Sequence, residues 1–418
     1  MLELIYNIGI KLYHFYIQFA SLFNPKAKLW VAGRKSWQTR YAQDWQQINS
    51  KNAPIVWVHC ASLGEFEQGR PVIEALKKEN PAVKIILTFF SPSGYEIRKN
   101  YPSADYICYL PIDSKANARI FIELFQPTLA IFVKYEFWTH YLYTLERQGI
   151  PILLISAIFR EHQLFFKSYG KLFRDLLPRF WHIFLQNQAS AALLESLNLH
   201  NFSVAGDTRI DRVAQIAIEA PTFPIVDSFA KNACILVAGS TWPPDEAILL
   251  PFINENLPAD WKLIIAPHQI NEQHLQQIEQ GLEKEIIRYS QATTEIAEKV
   301  KVLLIDNIGM LSALYRYGRI AYIGGGFGAG IHNTLEPIAF GLPVIFGPKY
   351  QKFEEAMQLT KRGGAFAIEN TEAFKMIFES LQQSNFYEKT ASTARQYITE
   401  NRGTSAKILD FIKEHKLL

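Results

Sequence analysis

The stretch IVWVHCASLGEFEQGRP, residues 55–71, decides how the chain is read. IVWV is apolar at every position, the pattern of a strand covered on both faces. Small residues follow, and a carboxylate, Glu65, falls where a helix-period segment begins. Strand, tight loop and helix make the repeating unit of a parallel α/β sheet, whose ligands bind at the carboxyl ends of the strands. Glu65 then has two readings: a carboxylate favoured by the start of a helix, or a general base.

The unit recurs along the chain. IVWVH, KIILTFF, YICYL, TLAIFV, ILLISA, HIFLQ and FSVAG are strand candidates in the first half; CILVAG, KLIIAP, KVLLID, IAYIGG, PVIFG and GAFAI are those of the second. Each half reads as a doubly wound, Rossmann-like α/β domain, and 418 residues are too many for one ordinary core. The join lies near APTFP, residues 220–224, where two prolines interrupt the pattern. The expected division is an anchor helix and basic segment over 1–40, a first domain over 41–215, and a second over 216–418 that includes a C-terminal helix. The charged tail KILDFIKEHKLL is expected to reach across the first domain. Paired domains of this kind, facing each other across a cleft, are similar to the GT-B architecture of glycosyltransferases.

Composition narrows the class. A formal charge of +3 gives no case for nucleic acid. Three separated cysteines without a CxxC pair exclude a disulfide framework and fit a reducing compartment. LELIYNIGIKLYHFYIQFASLF, residues 2–23, is about one bilayer long as a helix. Glu3, Asn7, Lys11, His14, Gln18 and Ser21 make one polar stripe along it. Lys26, Lys28, Arg34, Lys35 and Arg40 follow without an acid. Charges placed after the apolar run do not suit a cleaved signal; they suit an uncleaved anchor held against anionic lipid. The competing reading is an amphipathic helix packed on the protein's own core.

IGGGFGAGIHNTLEP, residues 323–337, is the densest candidate site. Glycines such as Gly325 and Gly326 let backbone approach a ligand, a helix starting near Asn333 presents unpaired N–H groups, and Glu336 is placed to accept ribose hydroxyls. A tight turn with a capping Asn is the plainer reading. AGSTWPPDE (238–246) repeats the logic with Ser240 and Thr241; APHQ (266–269) places His268 at a strand end; DNIGML (306–311) offers Gly309. In the first domain, Glu65 and Glu136 of KYEFW both follow strands, and Arg209 of GDTRID is either a cation for an anionic donor or a surface arginine. The chain contains no HExxH, DxD, GxSxG or GxxxxGK[ST] motif. Neither a metal nor a cofactor is expected.

The chain resembles the 3-deoxy-D-manno-octulosonic acid (Kdo) transferases of lipopolysaccharide assembly. AGRKSW after the anchor, WVHCASLGE, LTFFSPSG, YLPID, KYEFW, AGSTWPPDE, IGMLSALY, GIHNTLEP and FGPKYQKFEEA carry the resemblance in that order. It implies inverting, metal-independent transfer of Kdo from CMP-Kdo to a lipid A precursor, lipid IVA, at the cytoplasmic side of the inner membrane. It implies that Glu65 is the general base, that Glu136 is the second acidic position, and that Arg209 stands where the family has a lysine. CMP-contacting segments fall on His268 and Gln269, on Ile308, Gly309 and Met310, and on His332, Asn333, Thr334, Leu335 and Glu336. Four places depart from the pattern: PHQINE for PRHPE, SAIFR for NARLS, Met310 for an acid, and GIHN for GGHN. The alternatives are a GT-B transferase using another sugar nucleotide and a non-catalytic, membrane-attached sugar-nucleotide-binding protein. A nicotinamide oxidoreductase is disfavoured because the first strand–helix turn lacks GxGxxG.

Overall fold

The computed structural model describes residues 2–48 and 53–418. Two compact units emerge: one comprises the chain up to Asp211 together with Gly403–Leu418, the other Arg212–Arg402. The last helix, expected in the second domain, thus belongs to the first unit. The first unit holds a parallel sheet of β1 (Ile55–Cys60), β2 (Lys84–Phe89), β3 (Tyr106–Tyr109), β4 (Leu129–Val133), β5 (Ile152–Ala157), β6 (His182–Leu185) and β7 (Phe202–Val204), in the order β3-β2-β1-β4-β5-β6-β7. All seven first-half candidates form strands.

The alternation of β1 explains its apolar run. Val56, Val58 and Cys60 pack to one side with Phe66, Ile73 and the last helix's Ile408, Leu409 and Ile412. Trp57 packs to the other with Phe121, Phe132 and Tyr141. Both faces are covered, as a parallel sheet requires. The last helix, Thr404–Glu414, is tied in from far along the chain: Asp211 accepts hydrogen bonds from the backbone N–H of Gly403 (2.5 Å) and Ser405 (2.6 Å).

The first helix, Leu2–Ala20, turns Tyr6, Asn7, Ile10, His14 and Ile17 toward the protein, while Glu3, Lys11 and Gln18 of its polar stripe stay exposed. Tyr6 donates to the buried Asp113 (2.5 Å), Asn7 bonds His140 (2.5 Å), and Tyr13 and His14 pack against Phe90 and Trp30. The opposite face exposes Leu4, Ile5, Ile8, Leu12, Phe15, Tyr16 and Phe19, continued by Leu22 and Phe23. Among the described residues no helix is long and apolar enough to cross a membrane. The basic segment after the helix divides in role. Arg34 is half-buried and donates to the carbonyls of Leu110 (2.8 Å), Phe90 (2.8 Å) and Trp30 (3.1 Å), and desolvation lowers its pKa to about 10. It is a structural tie, whereas Lys26, Lys28 and Lys35 remain exposed.

The second unit has its own parallel sheet: β8 (Cys234–Thr241), β9 (Trp261–Pro267), β10 (Ile286–Arg288), β11 (Val302–Leu304), β12 (Ile320–Ile323), β13 (Val344–Phe346) and β14 (Ala365–Ala367), ordered β10-β11-β9-β8-β12-β13-β14. The edge strand β10 is the one the sequence pattern misses. One face of the sheet packs on Phe252, Phe374 and Phe378.

Candidate functional site

In the first unit, the loops after β1 and β4 and the segment after β7 gather charge. Glu65 lies in the first turn of helix Leu63–Glu79, half-buried, and accepts a hydrogen bond from Ser62 Oγ. The helix can lie this close to the sheet because residue 69 is glycine: a Cβ there would stand 3.1 Å from Cys60 Sγ and 3.2 Å from Val133. Just past β4, Lys134 takes a left-handed backbone conformation, φ +70°. Its pKa is lowered, chiefly by burial; Glu65 and Asp207 oppose that shift, while Arg209 and Arg160 reinforce it. Those four groups are therefore within electrostatic reach of one ammonium. Arg209 is held by Asp207 through its Nε (2.9 Å), Nη2 (2.6 Å) and backbone N–H (2.9 Å), and so is positioned rather than splayed into solvent.

Glu136 is only 9 % exposed. Trp138 Nε1 donates to its Oε2 (2.6 Å), and His59 Nε2 lies 3.1 Å from the same oxygen. His59, itself fully buried, is fixed in turn through Nδ1 on Thr88 (2.8 Å). Glu65 and Glu136 both push up the thiol of Cys60, after burial itself, which puts both carboxylates near the end of β1. Glu136 also borders an apolar cavity of about 500 Å³ lined by Tyr6, Ile10, Phe137, Leu164 and Phe165.

In the second unit a cavity of about 270 Å³ is lined by Ser240, Gly309, Ser312, His332, Asn333 and Glu336 among others. It unites loops that the sequence places far apart, and Ser240 enters it from a left-handed conformation, φ +54°. Trp242 Nε1 donates to His332 Nε2 (2.9 Å), and Trp242 and His332 each stack on His268, with centroids 4.6 and 4.5 Å apart. An indole N–H can only donate. Nε2 of His332 is therefore an acceptor, and the neutral ring carries its proton on Nδ1. Burial, and then His268, lower the His332 pKa, so the neutral ring is the favoured form.

The other expected contacts differ in their surroundings. Thr241 is fully buried and donates to Glu246 (2.9 Å). The Gln269 carbonyl binds His274 Nδ1 (2.8 Å). Met310 and Leu335 are buried, and Ile308 is 87 % exposed. Thr334 is buried, with a hydroxyl that has no partner among the described residues. Gly325 donates its N–H to Asp245 (2.8 Å), and Gly326 lets two loops meet, since a Cβ there would lie 2.6 Å from Gly347. Asn333 acts as the plainer reading had it, accepting from the Leu335 N–H (3.1 Å) and donating to Glu336 (2.9 Å) at a helix of only five residues. Sequence reasoning missed Lys134, Trp242 and Asp245. The signal for Lys134 and Trp242 was their place directly after a strand, and for Asp245 its place in the first turn of the helix that follows.

The family model described as 3-deoxy-D-manno-octulosonic-acid transferase (kdotransferase) matches residues 35–212. A 3-deoxy-D-manno-octulosonic acid transferase of Aquifex aeolicus is 30% identical over 331 residues, 77% of this chain and 84% of that protein. The chain belongs to the Kdo transferase family. Its relative from Haemophilus influenzae is 25% identical over 372 residues, 86% of this chain and 87% of that one. Among solved structures, a UDP-GlcNAc 2-epimerase of Neisseria meningitidis matches with TM-score 0.61 at 18% identity, covering 86% of this chain and all of that one. That likeness bears on the fold alone: two Rossmann-like units of the GT-B class. As a Kdo transferase the chain is a glycosyltransferase. Relative to the family pattern NARLS, it has Ile158 in place of the cation but carries Arg160 two residues on, still within electrostatic reach of Lys134 and Tyr135.

Proposed function

We propose that this Kdo transferase moves Kdo from CMP-Kdo to a hydroxyl of a lipid A precursor, lipid IVA, without a metal, at the cytoplasmic face of the inner membrane. The observation that carries the reading is Glu65: a half-buried carboxylate at the end of β1, oriented by Ser62 and electrostatically coupled to Lys134. Glu65 takes the proton of the acceptor hydroxyl as its oxygen bonds to the anomeric carbon of Kdo. The bond from that carbon to the CMP phosphate oxygen breaks, CMP leaves with the electron pair, and the configuration inverts. In this reading Lys134 and Arg209 answer the negative charge of the reacting groups, and the 270 Å³ cavity with His332 Nδ1–H takes part of the donor. Glu136, braced by His59 and Trp138, orients the acceptor side rather than competing as base. The outward apolar face of the first helix, with Lys26, Lys28 and Lys35 beyond it, lies in the lipid interface, which suits a lipid acceptor.

The test is transfer of labelled Kdo from CMP-Kdo to a tetra-acylated lipid A precursor by wild type and Glu65→Gln. A loss of about 10²–10⁴-fold in turnover with CMP binding retained is expected. A mutant that keeps its turnover removes Glu65 from the base role. A folded wild type that binds CMP yet transfers nothing refutes the substrate pair.

A further inference from the structure

A second polar cavity lies outside both sites just described. It measures about 560 Å³ and is lined by Lys115, Arg119, Arg147, Glu3, Glu123 and Gln148 among others. Three cations face two carboxylates there. Lys115 pairs with Glu3 (2.6 Å) and Arg119 with Glu123 (3.7 Å). Both pairs are exposed, and exposed pairs contribute little net stability, so either cation can turn to a stronger anion without loss to the fold. Arg147 has no ion pair among the described residues, though it lies close enough to Glu3 to help lower that carboxyl's pKa, after Lys115 and His140. A guanidinium fork with an adjacent ammonium matches a phosphate oxygen cluster in both charge and geometry.

Location decides which phosphate. Glu3 lines the cavity, and the next residues of the same helix, Leu4, Ile5 and Ile8, open its exposed apolar face. A ligand with phosphate in the cavity carries its substituent toward that face, where only an apolar tail is stabilised.

We propose that this cavity is a binding site for the phosphate headgroup of an anionic membrane lipid. It fixes the amino-terminal end of the first helix at the membrane surface. The inference rests on the interfacial placement argued above and adds a discrete lipid site to it. The site is separate from the Glu65 cluster and takes no part in transfer.

The experiment floats the full chain with vesicles of phosphatidylcholine, with and without phosphatidylglycerol. Wild type is expected to favour the phosphatidylglycerol vesicles. Arg119→Gln/Arg147→Gln is expected to lose about thirty-fold of that binding, at roughly five-fold per cation, while keeping its weaker binding to phosphatidylcholine. Lys361→Gln/Lys389→Gln, an equal charge change at exposed positions of the second unit, is expected to bind as wild type does. Soluble dihexanoyl phosphatidylglycerol is expected to raise the melting temperature of wild type and not of Arg119→Gln/Arg147→Gln. Equal losses in the two double variants would mean diffuse attraction and overturn the site. Inorganic phosphate stabilising wild type as well as the short-chain lipid does would overturn the lipid as its source. Wild type indifferent to phosphatidylglycerol would overturn the proposal outright. Kdo transfer to detergent-dispersed acceptor is expected to be unchanged in Arg119→Gln/Arg147→Gln. A failed transfer reading therefore leaves the vesicle result standing, and the reverse holds.

Discussion

Replacing Trp242 with phenylalanine tests the donor site at one atom. The stack on His268 survives, because a phenyl ring keeps most of the aromatic face that now sits 4.6 Å from the imidazole. The N–H that meets His332 Nε2 at 2.9 Å disappears. A net hydrogen bond contributes about 0.5–1.5 kcal/mol, and an acceptor left unsatisfied in a buried site costs about 1–3 kcal/mol. His332 is half-buried, so about 1–2 kcal/mol is expected, or a five- to thirty-fold loss of CMP affinity. The pH dependence separates this cause from simple loosening. In wild type, burial and then His268 lower the His332 pKa, and the indole N–H occupies Nε2, so the ring takes its second proton below its ordinary range. Without the donor, Nε2 is free to take a proton, the His332 pKa rises, and CMP affinity gains an inflection near that ordinary range. Calorimetric titration of CMP across pH, with imidazole resonances followed by NMR, reads both effects. Unchanged affinity in Trp242→Phe would refute the role of the indole N–H. Weaker binding with an unmoved His332 titration would refute the tautomer argument.

Two further changes probe the first unit. Lys134→Met removes the ammonium coupled to Glu65, Asp207 and Arg209; transfer is expected to fall about 10²-fold with CMP affinity unchanged, measured by steady-state kinetics, and unchanged turnover would exclude the lysine from the reaction. Asp211→Ala removes the acceptor that caps the last helix at Gly403 and Ser405; denaturant unfolding is expected to show a loss of about 1–2 kcal/mol, and unchanged stability would show that apolar packing alone holds that helix.

The fold was legible where burial dictates sequence. Runs such as IVWV and LAIFV are covered on both faces and admit no polar residue, so the first sheet could be read strand by strand. β10 escaped because three partly exposed residues, IIR, at a sheet edge carry no such constraint. The tail was expected to reach across the first domain, but its membership of that unit escaped: its pairing with Asp211 joins residues nearly two hundred positions apart, and no local pattern encodes it. At the site, strand-end position was informative and residue type was not. Ser240, Gly309, His332, Asn333 and Glu336 do share a cavity, but Thr241 and Leu335, from the same motifs, point into the core. Trp242 was passed over because an indole next to a strand reads as packing. The first helix shows a further limit of periodicity. Its polar stripe was visible, but a stripe says nothing about which side faces the protein. Tyr6 on Asp113 and Asn7 on His140 fix which side meets the protein, and only the structure shows that Leu12, Phe15 and Phe19 are left outside.

The two units divide the electrostatic work in a way that suits a group transfer with a charged leaving group. The first unit's strand ends carry formal charges close together, Glu65, Lys134, Asp207, Arg209 and Arg160, so a proton can be taken there while compensating charge stays within reach. The second unit's cavity is lined instead by Ser240, Ser312, Asn333 and a neutral His332, with the carboxylate Glu336 and no cation among its described lining residues. Departure of CMP develops negative charge on phosphate oxygen. A site that met that charge with a full cation would also hold the departed product firmly, because an oppositely charged pair in a partly dry cavity dissociates slowly. Neutral donors stabilise the developing charge and release the product more readily. A chain with His268 where the pattern PRHPE has arginine is therefore expected to release its product more readily.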